Sequence, residues 1–341
     1  MTVSTATASP VATRSSQASD TTISVRLLVG LVLVAMWATL LGDPSSIAAQ
    51  ELEPRAYRAL PVGLHFGLLV YSFSTGNVVA DPTTPIQGLD LDVSTLTAGY
   101  LTTFPLFNRS SAFSISLPYV VRAAGGGTRN DVVITETRSG PADARLKFSH
   151  LVIGGAAQRL PEFAPDRHRR TVGIGLAVSA PTGNYSQERL VNAGANRWGF
   201  KPEIGTTIQR GRWINEIALG VWLFTTNYDG PFGLDQTQDP LGSLQVHCSY
   251  NFKNGMWLGL DGNFFTGGAV TVEGLEPVNR ESNSRIGLTL SIPLSRKDSI
   301  KLAGHTGAFT RAGADFNVGI LAYQRMLAGA GQPQASDEAV D

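Results

Sequence analysis

Cysteine is all but missing from this chain of 341 residues. Cys248 stands alone, so no disulfide can close within the chain and no cysteine cluster can hold zinc. Charge is scarce as well. Asp, Glu, Lys and Arg make up 16% of the residues, below the quarter usual for soluble domains. The 27 basic residues balance 27 acidic ones. A neutral chain lacks the basic face that meets phosphates, so nucleic acid is not an expected partner. Long apolar runs are confined to one place near the N-terminus. Beyond it the best stretch, Ile217–Phe224, is too short for the ~20-residue helix that crosses a bilayer. Catalytic signatures are missing too: no G-x-S-x-G, no H-E-x-x-H and no G-x-x-x-x-G-K occurs. Gly173-Ile174-Gly175 lacks the third glycine and the following helix of a dinucleotide site. The expectation is a protein with no catalytic residues, metal or cofactor.

The single apolar run is Leu27 to Gly42, preceded by Arg26 and followed by Asp43, Pro44 and the small residues Ser45, Ser46, Ala48 and Ala49. A positive flank, an apolar core and small residues near a cut are the pattern of a secretory signal. Residues 1–49 are read as that signal, with cleavage near Ala48–Gln50; an uncleaved anchor is the alternative. The chain after it is expected to be exported.

Apolar residues make up 43% of the sequence, and in the exported part they recur at every second position. Ile286, Leu288, Leu290, Ile292 and Leu294 alternate with Arg285, Gly287, Thr289, Ser291 and Pro293. Eleven other segments read the same way: Val62–Val70, Leu96–Tyr100, Phe113–Val121, Ala144–Phe148, Val172–Val178, Phe200–Ile208, Ile217–Leu223, Leu244–Phe252, Met256–Phe264, Ile300–Leu302 and Phe316–Ala322. Period two is the signature of strands with two unlike faces. Twelve strands of ~10 residues suit a barrel that crosses a bilayer. Connections alternate in length. Pro105–Arg109, Arg210–Arg212, Lys253–Gly255 and Ser295–Asp298 are short, whereas Thr75–Leu91, Arg122–Pro141, Thr182–Gly199, Thr225–Pro240 and Thr266–Ser282 are long. Short turns on one side and long loops on the other are the habit of outer-membrane barrels. Gly154–Arg170 breaks the rule. The run Gly125-Gly126-Gly127 reads as part of a flexible loop, and Phe104, Tyr119, Trp213, Phe224, Phe252 and Phe316 as interfacial aromatics.

The fold expected is therefore all-β: an up-and-down transmembrane barrel over residues 50–326, with a disordered tail at 327–341. Alternation by itself fits a soluble secreted β-sandwich acting as a binding module equally well. The export signal, strand length and loop asymmetry favour the barrel. Its apolar face meets outer-membrane lipid. Its polar face lines the lumen and carries Arg145, Lys147, Lys201, Glu203, Glu216, His247, Asp261, Arg285 and Lys301, with Trp222 and Trp257 in the same phase. These residues are expected to set lumen polarity, and the two indoles to stack on an aromatic solute. Leu288 is placed toward lipid and Thr289 toward the lumen, as a position that tolerates arginine. A lumenal histidine, carboxylate and serine together would be chemistry for ester or lipid hydrolysis, so an outer-membrane hydrolase is the alternative function.

Several short stretches carry a resemblance: "LEPRAY" (Leu52–Tyr57), "RLVNAGANRWGFKPEIG" (Arg189–Gly205), "GVWLFTTN" (Gly220–Asn227), "QDPLGSLQVHCSYNF" (Gln238–Phe252), "LDGNFFTGG" (Leu260–Gly268) and "SNSRIGLTLSIPL" from Ser282. Together they resemble the meta-pathway phenol-degradation family of bacterial outer-membrane proteins, often called simply transporters. The resemblance spans Leu52–Arg325. It implies a twelve-stranded outer-membrane barrel that passes small hydrophobic or aromatic compounds. Barrel chains of this kind commonly end on an aromatic residue read by the barrel-assembly machinery. Here the last expected strand ends at Met326, which leaves Tyr323 and Phe316 as the candidates for that contact.

Overall fold

The computed structural model describes residues 54–79, 86–129, 132–163, 169–189, 191–230, 233–273, 281–310 and 313–329. The expected signal at 1–49 and the tail from residue 330 lie outside these. Among the described residues there is no α-helix. The strands are β1 (Leu64–Val79), β2 (Ile86–Leu106), β3 (Arg109–Arg129), β4 (Val132–Pro141), β5 (Ala144–Ile153), β6 (Arg170–Ala180), β7 (Gly199–Arg210), β8 (Trp213–Phe224), β9 (Gln236–Gln238), β10 (Leu241–Asn251), β11 (Trp257–Gly267), β12 (Val270–Val272), β13 (Glu281–Pro293), β14 (Asp298–Thr310) and β15 (Gly313–Gly329).

Thirteen of these form one antiparallel sheet, and β2–β3 and β1–β15 pairings close it on itself. Both β4 and β5 pair with β3, so they are one wall position broken at Ala142-Asp143. The barrel therefore has twelve strands. Closure is what allows a sheet to sit in lipid, since every backbone N–H and C=O finds a partner and no edge is left. Strands β9 and β12 form a separate two-stranded sheet within the long loops.

The turns explain where each strand ends. Phe107 and Asn108 both have positive φ, 46° and 57°, the conformation of a tight hairpin turn whose twist matches its strands. Gly211, at φ 60°, turns β7 into β8. Two expected loops are mostly strand. β1 continues to Val79 and β2 starts at Ile86; β3 runs to Arg129, and β4 follows at Val132. The Gly125–Gly127 run is thus part of β3. At ~3.3 Å per residue, 21-residue strands reach about 70 Å, far beyond the ~30 Å apolar slab. Polar residues marked these segments as loops, but outside the membrane backbone pairing needs no apolar face. The first strand is also corrected: Val62 pairs with Arg159 in an isolated bridge, and the wall begins at Leu64. At the other end the wall runs past Met326 to Gly329.

Burial follows the alternation. Ile204, Ile217, Leu219, Leu223, Val246, Leu260 and Ile286 are exposed outward, while Lys201, Glu203, Glu216, His247, Asp261 and Arg285 are buried inward. Trp213, Tyr250 and Phe252 form edge-to-face contacts at 4.9 and 5.2 Å near the short turns. The amphipathic rings of Trp213 and Tyr250 suit a lipid interface. Phe224 departs from the expected girdle. It stacks on inward-facing Trp222, with ring centroids 6.1 Å apart.

Leu219 lies mid-strand in β8 and is 55% exposed. Leu219→Arg should destabilise the folded barrel by about 2–4 kcal/mol, while Leu219→Phe should cost little. Urea titration in lipid vesicles checks this. Equal effects would mean that this face does not meet hydrocarbon.

Candidate functional site

The short-turn end of the lumen is filled by the chain's own N-terminal segment, residues 54–63. Glu216 on β8 accepts the backbone N–H groups of Ala56 and Tyr57 at 3.0 and 3.1 Å and the hydroxyl of Thr207. Thr171 donates to the Tyr57 carbonyl at 2.6 Å. Further along, Ser110 donates to the Leu60 carbonyl and Thr103 to that of Pro61. The long turn between β5 and β6 braces the segment from below: Val62 N–H donates to Gln158, and Phe163 packs against the cluster of Tyr57, Ala59, Leu151 and Ala218.

Two residues of this segment reach into the lumen. The Arg55 guanidinium donates to Ser249 and Asn251 at 3.0–3.1 Å and lies 3.9 Å from the Trp257 ring centre. Burial, and to a lesser degree Arg58, push its pKa down to about 9, so it remains a cation at pH 7. Tyr57 is 0% exposed, and its hydroxyl donates to Glu203 Oε1 at 2.6 Å. Burial and the Glu203 charge both push the phenol pKa up, so it keeps its proton. The ring lies against Gly173, Gly175 and Gly205, where a Cβ would overlap it.

Above the segment lies a belt of polar side chains. Glu203 binds Lys147 and Lys201 at 3.1 and 3.0 Å. Lys201 is 1% exposed, so its charge depends on that pairing. Glu216, His247, Asp261, Gly287 and His305 occupy one cross-strand row over β8, β10, β11, β13 and β14. His247 Nδ1 is 2.7 Å from Asp261 Oδ1. Thr289 donates to the other Asp261 oxygen at 2.5 Å, and this buried hydroxyl makes position 289 a poor host for arginine, contrary to expectation. Gly287 leaves the space that the His305 ring fills.

Farther from the short turns the inner face turns apolar. Ala177, Trp222, Leu241 and Phe265 form a buried cluster with Phe224 beside it. Arg197, from the β6–β7 loop, lies 4.7 Å from the Phe224 ring centre and donates to Gln238. That loop folds back over the wall. Asp143, freed by the break between β4 and β5, accepts the Gly183 and Ala195 N–H groups at 2.9 and 2.8 Å. Val191 packs onto Leu91, Val93, Val120 and Ala123, and Gly125 leaves it room.

The structure thus joins Lys147, Lys201 and Glu203 in one cluster and aligns Glu216, His247 and Asp261 in one row. Trp257 meets Lys301, 6.0 Å from its ring centre. Arg285 is buried beside His305, and Arg145 is half-buried between Ser116 and Ser179. The sequence reading missed Arg55, Tyr57, Asp143 and Arg197. Arg55 and Tyr57 carried a signal, since both belong to the stretch "LEPRAY", but no periodicity places a residue ahead of the first strand.

A family model described as "Putative MetA-pathway of phenol degradation" matches residues 72–318. No curated protein matches the chain. Among solved structures it is similar to the COG4313 outer membrane channel from Pseudomonas putida F1, at 21% identity and a TM-score of 0.69, over 81% of this chain and 100% of that one. Looser likenesses, both at 10% identity, are to the transport unit of the autotransporter AIDA-I from Escherichia coli and to the CymD monoaromatic hydrocarbon channel. The first has a TM-score of 0.49 and covers 86% of this chain and 98% of that one. The second has a TM-score of 0.40 and covers 84% and 94%.

The glycine bed under Tyr57 gives a direct test. Gly205→Val should drive the ring out of its place while leaving the wall paired. Overpacking of this kind costs about 1–3 kcal/mol, enough to raise the withdrawn population roughly ten-fold. Tryptic cleavage after Arg55 and Arg58 should accelerate by that factor, with heat-modifiable gel mobility retained. Unchanged cleavage would mean that the segment is not held by this contact.

Proposed function

We propose, since this chain belongs to the MetA-pathway phenol-degradation family and has the fold of an outer-membrane barrel, that it is a passive channel for small hydrophobic or aromatic compounds. The observation that carries this reading is the inner surface. Trp222, Phe224 and Phe265 face inward beside Arg197 and Lys201, and Trp257 faces inward beside Arg55 and Lys301. Rings of this kind stack on an aromatic solute, while the compensated charges keep its polar end wetted. Twelve strands enclose less space than the sixteen or so of a general porin, and the N-terminal segment takes part of that space. The P. putida relative is itself called a channel.

At the His247–Asp261 pair, conduction is favoured over hydrolysis on geometry. The candidate base, His247, has Asp261 on Nδ1, but its Nε2 has no partner among the described residues. Ser249, in the same phase, is engaged by Arg55 and by the Ile214 carbonyl. A nucleophile needs a base within hydrogen-bond reach. A closed barrel with an apolar exterior replaces the secreted sandwich as the reading. Outer-membrane lipid and the barrel-assembly machinery are the partners proposed to surround and insert it.

Protein in liposomes should pass 4-hydroxybenzoate faster than glucose, a sugar of similar size. Equal rates would indicate an unselective pore. Hydrolysis of added ester without flux would overturn the channel in favour of an enzyme.

A further inference from the structure

The Tyr57 side chain is a phenol, and the place that holds it is built by other parts of the chain. Two adjacent strands supply a flat bed: Gly173 and Gly205 are direct partners across β6 and β7, and Gly175 is the partner of Glu203. A Cβ at Gly173 would come within 2.5 Å of the ring, and one at Gly175 within 2.6 Å of the hydroxyl. Leu151 and Ala218 close the sides. The Glu203 carboxylate stands where the hydroxyl lands, 2.6 Å away. Lys147 and Lys201 hold it as an anion ready to accept a proton donor. Strand residues alone thus define a slot one ring thick with an acceptor at its far end.

We propose that this slot is a binding site for neutral phenols, and that Tyr57 is its built-in occupant. An entering phenol and the segment 54–63 compete for one place, so the solute releases the segment that fills the short-turn end. This inference rests on the aromatic-channel reading and adds the class of solute. Glu203 selects it. A phenol donates to the carboxylate, toluene has nothing to donate, and an anion presented at that point is repelled.

The test uses the purified full chain in detergent, with p-cresol and toluene as probes in calorimetry. Tyr57→Ala should bind p-cresol about ten-fold or more tighter than wild type, because in wild type only the molecules with the segment withdrawn are competent. In that variant toluene should bind about ten-fold weaker than p-cresol, and Glu203→Gln added to it should shrink the difference. In wild type, p-cresol should speed tryptic cleavage after Arg55 and Arg58. Tyr57→Phe, which keeps the ring and loses the hydroxyl, should respond at lower p-cresol. It serves also if the alanine variant fails to fold. Equal p-cresol affinity in wild type and Tyr57→Ala, or cleavage indifferent to p-cresol in both wild type and Tyr57→Phe, overturns the proposal. Flux of 4-hydroxybenzoate with no p-cresol binding would sink this inference and leave the channel standing. Binding without flux would do the reverse.

Discussion

Everything in this protein follows from closing twelve strands into a ring. In hydrocarbon an unpaired backbone amide costs several kcal/mol, and only closure leaves none. Closure then fixes the rest. It forces the two-residue period, since each strand must show lipid one side chain and the lumen the next. It fixes the interior width, because diameter follows strand number. An interior of this size is narrower than that of a general porin, and buried charges within it must be paired. The Lys147–Glu203–Lys201 cluster and the His247–Asp261–Thr289 chain meet that requirement.

The same narrowness gives the N-terminal segment its role. Ten residues entering from the short-turn end use Glu216 to cap two amides, Glu203 to seat Tyr57 and Ser249 with Asn251 to seat Arg55. The glycines at 173, 175 and 205 weaken strands that would gain from larger residues. Their location under one ring gives that weakness a purpose. At the opposite end Asp143 does similar work for the β6–β7 loop. Both devices place irregular backbone inside the wall, where polar partners replace water.

The wall was readable from the sequence because lipid and lumen impose opposite demands on neighbouring residues. Leu219 and Glu216 declare their sides by chemistry alone. The tall hairpins were not readable, because Gly125–Gly127 and the polar residues around them lie beyond the membrane, where pairing persists without an apolar signal. Phe224 was misread for a related reason. An aromatic near a strand end looks the same whether it faces lipid or Trp222. The segment 54–63 has no period at all, since its partners are long-range: Tyr57 meets Glu203 across 146 residues of chain. Contacts of that kind are set by topology rather than by local pattern.

The central claim is that the chain's own N-terminal segment fills the short-turn end of the lumen. Single-channel recording in planar bilayers tests it, comparing the chain from residue 50 onward with one lacking residues 51–61. If the segment fills the lumen, the shortened chain conducts several-fold more current per channel, and its open state is steadier. If the two chains give the same conductance and the same gating, the path lies elsewhere and the account is wrong.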